Sequence, residues 1–212
     1  MTSTKSVAFR LNELLVEAGV EPLGGETASF EAYLSLFIRW NERVNLSSFR
    51  SEEELVPRHF IESIAVARML PEGIASLLDF GSGGGLPGIP IALCRPEIAV
   101  TLAESRIKKA AFLEEAVRIL EIQAQVWAKR AETLREVFDC VTLRAVDKMP
   151  KAIAAALRLV VPNGWLALMT TDADAARLQA AAGAAFRWAE PMRLPGSESR
   201  LLALGRKVSS AI

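Results

Sequence analysis

A glycine-rich segment and a later carboxylate are the residues of this sequence whose types and spacing best suit small-molecule chemistry. The segment Asp79-Phe80-Gly81-Ser82-Gly83-Gly84-Gly85 follows a short apolar run, and Glu104 ends the next apolar run. Glycines allow a sharp backbone turn and let the chain approach a ligand where a side chain would collide. A carboxylate at the end of the second strand can accept hydrogen bonds from both hydroxyls of a ribose. The pattern predicts a nucleoside-cofactor site that includes Gly81, Gly83, Gly85 and Glu104.

The residues after the glycines distinguish between two kinds of cofactor. Their pattern is G-x-G-x-G, whereas dinucleotide-binding loops show G-x-G-x-x-G and place a pyrophosphate against the next helix. Here that helix region opens with Leu86-Pro87-Gly88-Ile89-Pro90, and its two prolines have no N–H to donate. This suits a cofactor without phosphate, such as S-adenosylmethionine, an adenosine with a charged amino-acid tail. The pattern therefore favours a methyltransferase, with a dinucleotide-dependent oxidoreductase as the main alternative.

Two further polar positions follow later apolar runs. In Arg130-Ala131-Glu132 a polar side chain and a neighbouring N–H can contact an adenine edge, although Glu132 is equally suited to the first turn of a helix. Arg144 ends the next run and faces the same crevice. It can bind a carboxylate or phosphate, or form a structural salt bridge with an acid such as Asp139 or Asp147.

These positions fall on alternating strand-like and helix-like segments. Strands are predicted over 76–80, 98–103, 125–128, 140–143 and 165–169. Helices are predicted between them, over 88–94, 106–120, 150–160 and 172–182. Such alternation predicts an α/β fold with a mostly parallel sheet and helices on both faces. Segments 186–193 and 200–204 predict a terminal antiparallel hairpin.

The N-terminal part has a helical pattern. Helices are predicted over 7–19 and 27–40, and packing on the body accounts for the apolar face of the second, which comprises Phe30, Tyr33, Leu34, Phe37 and Ile38. Residues 40–50 are predicted to form a loop, and Glu52-Glu53-Glu54 suits the first turn of a short helix. Pro57 is predicted to open a helix that runs to about Met69. The sequence therefore predicts a helical extension over 1–73, packed on a Rossmann-like domain over 74–212 as one structural unit.

Composition limits the class of protein. The 212 residues are 51% hydrophobic and 24% charged, which is ordinary for a soluble domain with one sizeable core. No apolar run approaches the roughly 20 residues that span a bilayer, and the first ten residues lack the apolar centre of a signal peptide. A cytoplasmic protein is therefore expected. The formal net charge is zero, so any nucleic-acid surface must be local.

Metal and redox chemistry find little support in the sequence. Cys94 and Cys140 lie in apolar surroundings without a Cys or His at metal-ligand spacing, so buried free thiols are expected. His59 is the only histidine. A lone histidine in a helix is more often a packing or capping residue than a catalyst. No metal site is predicted.

Several longer segments resemble one family of bacterial enzymes. They are W-N-E-R-V-N-L-S at 40–47, R-H-F-I-E-S at 58–63, G-S-G-G-G-L-P-G-I-P at 81–90, R-P at 95–96, E-S at 104–105, K-K-A-A-F-L at 108–113, R-A-E at 130–132 and R-A at 144–145. In this order, over about residues 36–146, they resemble the RsmG family, also called the glucose-inhibited division protein B family. That family transfers methyl from S-adenosylmethionine to N7 of a guanine in 16S ribosomal RNA. The chain differs where the family usually has Thr, Asp, Phe and a K-P-G-G turn, namely at Ser47, Glu62, Val146 and 161–164.

The resemblance implies a class I methyltransferase fold and roles for individual residues. Those implied to line the cofactor or its approach are Gly81, Leu86, Glu104, Ala131, Glu132 and Arg144. Those implied to lie towards the RNA are Arg43, Asn45, Arg58 and His59. Guanine N7 has an in-plane lone pair and no proton, so it can attack a sulfonium methyl without a general base. No acid–base catalyst is therefore expected, and Arg144 and His59 are candidates for positioning.

Two other functions remain open at the level of the sequence. One is methylation of a small molecule or a protein, and the other is a non-catalytic RNA-binding module that retained the pocket. The segments at 40–47 and 58–63 argue against the first. The intact glycine segment with Glu104 argues against the second.

Overall fold

An eight-stranded sheet forms the centre of the computed structural model, which describes residues 7–48 and 55–209. The strand order is β3-β2-β1-β4-β5-β8-β6, and β7 pairs with β8. The strands are β1 Ser76–Phe80, β2 Ala99–Ala103, β3 Ala124–Trp127, β4 Phe138–Arg144, β5 Val160–Thr171, β6 Phe186–Trp188, β7 Met192–Arg193 and β8 Arg200–Lys207. The first five run parallel, whereas β8 is antiparallel to β5, β6 and β7.

Seven helices and three shorter helical turns surround the sheet in the described residues. The helices are α1 Val7–Glu17, α2 Thr27–Val44, α3 Glu62–Met69, α4 Gly88–Cys94, α5 Ile107–Leu120, α6 Met149–Leu159 and α7 Asp172–Ala181. A π-helical turn, Val56–Ile61, leads directly into α3, and 3₁₀ turns occupy Ala131–Thr133 and Gly183–Ala185. The central strands are apolar on both faces because α1 to α5 pack on one side and α6 and α7 on the other. The predicted fold class is confirmed.

Three predicted elements differ from the structure. Helix α2 continues to Val44, although residues 40–50 were predicted to form a loop. Where the loop was predicted to begin, Arg39 and Trp40 both donate hydrogen bonds of 2.9 Å to Glu115, which hold α2 against α5. Strand β5 is much longer than the segment 165–169, because β4 and β8 pair along it on either side.

The third difference is at the C-terminus. The segment 186–193 forms two short strands, β6 and β7, instead of one. Both pair antiparallel with β8, as predicted, and β8 also pairs with β5. The end of the predicted loop, residues 49–50, and the run Glu52-Glu53-Glu54 lie outside the described residues. The division between residues 73 and 74 stays a prediction, although one core cluster draws side chains from both parts.

The described ranges offer neither a membrane-spanning helix nor a cluster of metal ligands. Residues 7–48 and 55–209 contain no helix long and apolar enough to cross a membrane. The same residues contain no group of three or more His, Cys, Asp or Glu that could hold a metal ion. Both cysteines are free thiols, with Cys140 buried and Cys94 partly buried.

Candidate active site

An open pocket of about 660 Å³ lies at the carboxyl ends of β1, β2, β3 and β4. Open α/β sheets bind ligands at this edge. The loops after the four strands form most of the wall, and Phe37, Leu46, Ser47 and His59 from the N-terminal part complete it. The pocket therefore combines both halves of the chain.

The structure brings together all the predicted cofactor residues except one. The residues that line the pocket are Gly81, Gly83, Leu86, Glu104, Ala131, Glu132 and Arg144. Gly85 does not line it. A Cβ on Gly85 would lie 2.5 Å from Ile89 Cδ1, and its φ is +83°, so a glycine is required there to pack the loop against α4. The roles of the lining residues in binding a cofactor stay predictions.

Glu104 is anchored to the glycine loop. One carboxylate oxygen accepts a hydrogen bond from Gly83 N at 3.1 Å, and the other accepts from Arg106 N at 2.7 Å. The residue is only 8% exposed. Because each carboxylate oxygen can accept more than one hydrogen bond, this fixed group can still accept from ligand hydroxyls.

Asp79 lies beneath the glycine loop and not on the pocket wall. Its carboxylate accepts hydrogen bonds from Thr142 Oγ1 at 2.9 Å and from Gly88 N at 3.2 Å. Burial raises the pKa of Asp79 to about 6, although these hydrogen bonds favour the charged form. The carboxylate joins β1, β4 and the start of α4, so it supports the loop that forms the pocket floor.

Arg144 extends from β4 to the turn before α3. It donates hydrogen bonds to Ser63 Oγ at 3.1 Å and to the carbonyl oxygen of Arg58 at 2.8 Å. It also lies 3.4 Å from a carboxylate oxygen of Glu62. Its side chain is 13% exposed, so these contacts largely determine where it points.

The salt-bridge partners that the sequence suggested for Arg144 are wrong. Asp139 accepts hydrogen bonds from the backbone N–H groups at 75 and 76, and Asp147 lies 3.7 Å from Arg106. The acidic partner is Glu62 on α3, a position where the family usually has Asp. It is 1% exposed and also accepts a hydrogen bond from Arg200 on β8. Burial raises the pKa of Glu62, and the two arginines oppose that shift.

His59 is held as a neutral imidazole. Arg144 can only donate, and its Nη2 lies 2.6 Å from His59 Nδ1, so Nδ1 accepts. The other ring nitrogen then carries the proton and donates to Ser47 Oγ at 3.0 Å. Burial, together with the positive charges of Arg144, Arg58 and Arg200, lowers the pKa of His59 to about 3.

We expect His59 to stay unprotonated throughout the physiological range. Its folded-state pKa lies below the ordinary value of about 6.5, so between pH 6.5 and 3 the unfolded chain binds the proton that the native state excludes. The contribution of His59 to stability therefore falls as the pH falls through this window. Because the chain has one histidine, NMR of its imidazole reports this residue alone. A midpoint near pH 6.5 in the folded protein would contradict the assignment.

The predicted RNA residues divide between the pocket wall and the surface. Of the four, only His59 lines the pocket. Arg43, Asn45 and Arg58 are exposed, and Asn45 ends α2 in the left-handed conformation with φ 56°. Leu46 and Ser47 follow directly and line the pocket, so the end of α2 adjoins the pocket mouth.

A set of cations along the pocket was largely missed by sequence reasoning. Its members all line the pocket: Arg106, Lys109, Lys129, Arg130, Lys148 and Lys151. They come from the segments after β2, β3 and β4, which converge only because the strands are parallel. Their signal in the sequence is a basic residue soon after each strand, which is a weak signal because such residues are usually just solvated. We call these six residues the basic rim.

The fold and the pocket together define the class of Rossmann-like methyltransferases. The family described as GidB, rRNA small subunit methyltransferase G, matches residues 26–198. The chain belongs to this family, as the sequence motifs predicted.

Named relatives support the same assignment. "Ribosomal RNA small subunit methyltransferase G" from Xanthomonas axonopodis pv. citri (strain 306) is 41% identical over 180 residues, covering 82% of this chain and 84% of the relative. The protein of the same name from Stenotrophomonas maltophilia (strain K279a) is 38% identical over 197 residues, with 90% of each chain covered. Among solved structures, the mitomycin 7-O-methyltransferase MmcR has a TM-score of 0.60 at 13% identity, covering 84% of this chain and 67% of that one. Such a low identity shows the fold alone.

Proposed function

We propose that this protein transfers the methyl group of S-adenosylmethionine to N7 of a guanine in bacterial small-subunit ribosomal RNA. The observation that carries the proposal is a pocket with a glycine-loop floor and a fixed carboxylate, in a chain of this family. A small-subunit ribosomal RNA substrate implies that the protein acts in the cytoplasm, on the RNA or on an assembling subunit.

The residues of the pocket fit S-adenosylmethionine. Glu104 would accept hydrogen bonds from the ribose hydroxyls, and the segment Ala131-Glu132 would contact the adenine edge. Gly81 and Gly83 have φ of +76° and +56°, and a Cβ at Gly83 would meet only a carbonyl oxygen 3.9 Å away, so this part of the floor is open. When bound, the cofactor supplies a methyl group on a positively charged sulfur.

The chain's own residues need to align the reactants and not to move a proton. Guanine N7 carries no proton, so the reaction requires an in-line approach to the methyl carbon. Arg144 at the end of β4 and His59 on the π-helical turn before α3 contact each other and would position the target base. A methylated N7 would leave the purine positively charged, so the surrounding side chains should not add further positive charge. A neutral His59 adds no positive charge beside the purine. The carboxylate of Glu62 offsets part of the positive charge on Arg144.

RNA would contact two groups of residues around the pocket. Arg43, Asn45, Arg58 and His59 would contact it from the N-terminal part, and the basic rim would bind phosphates from the segments after β2, β3 and β4. The net charge of zero makes these local surfaces the main source of attraction to RNA. Phosphate contacts position the RNA, and the pocket selects the base.

A methyl-transfer assay tests the proposed function. Stripped bacterial small-subunit RNA is incubated with the protein and labelled S-adenosylmethionine, beside a panel of small molecules and proteins. The RNA is then digested to nucleosides and analysed by mass spectrometry. We expect 7-methylguanosine, in an amount of about one per RNA molecule. Transfer only to a small molecule or protein, or RNA binding without transfer, would overturn the proposal.

We expect Arg43→Ala combined with Arg58→Ala to raise the KM for RNA about fivefold to tenfold at low salt, with cofactor affinity unchanged. The reason is that both exposed arginines would contact phosphates. Each lost contact should also reduce the slope of log KM against log salt by about 0.7. The KM is measured at several salt concentrations.

A matched control separates this effect from a change of total charge. Arg118→Ala with Arg177→Ala removes two exposed arginines from α5 and α7, away from the pocket. This pair should leave the KM and its salt slope near the wild-type values. If both double variants show the same KM and the same salt slope, Arg43 and Arg58 do not contact RNA. The basic rim would then be the RNA surface.

A further inference from the structure

A hydrogen bond connects the N-terminal helix α2 to the glycine loop. Tyr33 donates from its hydroxyl to the carbonyl oxygen of Gly84 at 2.6 Å, and the bond is buried. Tyr33 is 0% exposed, and it contacts the rings of Phe37, Phe60 and Phe112. The hydroxyl therefore has a fixed direction. It is the only tyrosine in the sequence.

The same helix also limits the space behind the loop. A Cβ on Gly84 would lie 2.6 Å from Phe37 Cε2 and 3.5 Å from Leu46 Cβ. Phe37 and Leu46 themselves line the pocket. The loop is thus held between α2 on one side and the hydrogen bonds of Gly81 and Ser82 N–H to Ala103 O on the other.

We propose that Tyr33 is a positioning residue of the cofactor site, which acts by holding the Gly84 carbonyl and so keeps the glycine loop in its ligand-binding form. The inference rests on the proposed function, because it takes this loop as the cofactor site. Without the hydroxyl, the buried carbonyl would lose its donor and the loop would gain freedom that ligand binding must then remove. The N-terminal helices thereby become part of the cofactor site.

The hydroxyl is a reliable donor because it stays protonated. Burial, and next the negative charge of Asp79, raise the pKa of Tyr33 well above its usual range. A group that ionised near neutral pH would repel the carbonyl oxygen. Tyr33 therefore keeps this contact throughout the working range of pH.

The experiment compares Tyr33→Phe with Phe30→Leu. The first removes only the hydroxyl, whereas the second perturbs the packing of a fully buried residue on the same helix that does not line the pocket. Binding of S-adenosylhomocysteine is measured by calorimetry, and amide exchange over residues 81–85 is measured by mass spectrometry without ligand. We expect Tyr33→Phe to raise the Kd about fivefold to tenfold and to speed exchange of the loop. The KM for RNA should stay unchanged.

Phe30→Leu should lower the Tm while its Kd stays within about twofold of the wild type. If both variants weaken binding in proportion to their loss of Tm, or if Tyr33→Phe changes neither Kd nor loop exchange, the inference is overturned. If Tyr33→Phe does not fold, wild-type protein with ¹³Cζ-labelled tyrosine provides the second test. Its single resonance should shift when S-adenosylhomocysteine binds, and a constant position would overturn the inference. A wild-type protein that binds no S-adenosylhomocysteine would instead overturn the proposed function.

Discussion

Arg144→Ala is expected to lower kcat for methyl transfer by about a hundredfold or more, because Arg144 holds His59 and would position the target base for in-line transfer. It should also destabilise the fold by about 3 kcal/mol, since Glu62 would stay buried with one of its two arginine partners missing. Arg144→Lys keeps the charge but loses the planar fork that reaches Ser63, Arg58 and His59. We therefore expect Lys to recover stability more than kcat. Single-turnover transfer and thermal unfolding measure the two effects.

Arg95→Ala provides the matched control. Arg95 also donates to backbone carbonyls, those of Ala67 and Leu70, and it pairs with Glu97, but it does not line the pocket. Its loss should lower the Tm without changing kcat. If Arg144→Ala behaves in the same way, the role of Arg144 is structural, and the target base must be positioned by other residues.

Glu104→Ala is expected to weaken binding of S-adenosylhomocysteine by about 1–3 kcal/mol, which corresponds to about fivefold to 150-fold in Kd. Two losses add up here. The ribose hydroxyls would lose their acceptor, and the N–H groups of Gly83 and Arg106 would lose the carboxylate that fixes them. Glu104→Gln keeps the size and one acceptor oxygen, so its effect should be intermediate. Calorimetry of both variants measures the change.

Glu115→Ala is a suitable control for Glu104. Its carboxylate accepts from Arg39 and Trp40 outside the pocket, so its loss should affect stability and not the Kd. An unchanged Kd in Glu104→Ala would remove Glu104 from the cofactor site. If the protein bound NAD tightly and did not bind S-adenosylmethionine, the proposed methyltransferase activity itself would be overturned.

Local patterns in the sequence correctly predicted most strands and helices of this protein and the glycine turn between them. The helix over 88–94 has the predicted bounds, and the strand at 76–80 is followed by the predicted glycine turn. Such elements depend on periodicity, propensity and the special conformations of glycine and proline, all of which neighbouring residues determine. The position of Glu104 at the end of β2 was predictable for the same reason, because the end of a strand is also a local property. Family motifs added the expected activity and several residue roles.

Contacts between distant residues could be known only from the tertiary structure. The burial of Glu62 between Arg144 and Arg200, and the reach of Tyr33 to Gly84, join residues far apart in the chain. A carboxylate in a helix is usually exposed, and an aromatic residue on an apolar face usually belongs to the core. The sequence pattern therefore favoured an exposed Glu62 and a Tyr33 that only packs. The parallel sheet brings separate loops to one edge and α2 packs beneath the glycine loop, and this packing decides which side chains meet. The sequence by itself therefore determined that the protein has a nucleoside-cofactor pocket. The tertiary structure decided which side chains fix the geometry of that pocket.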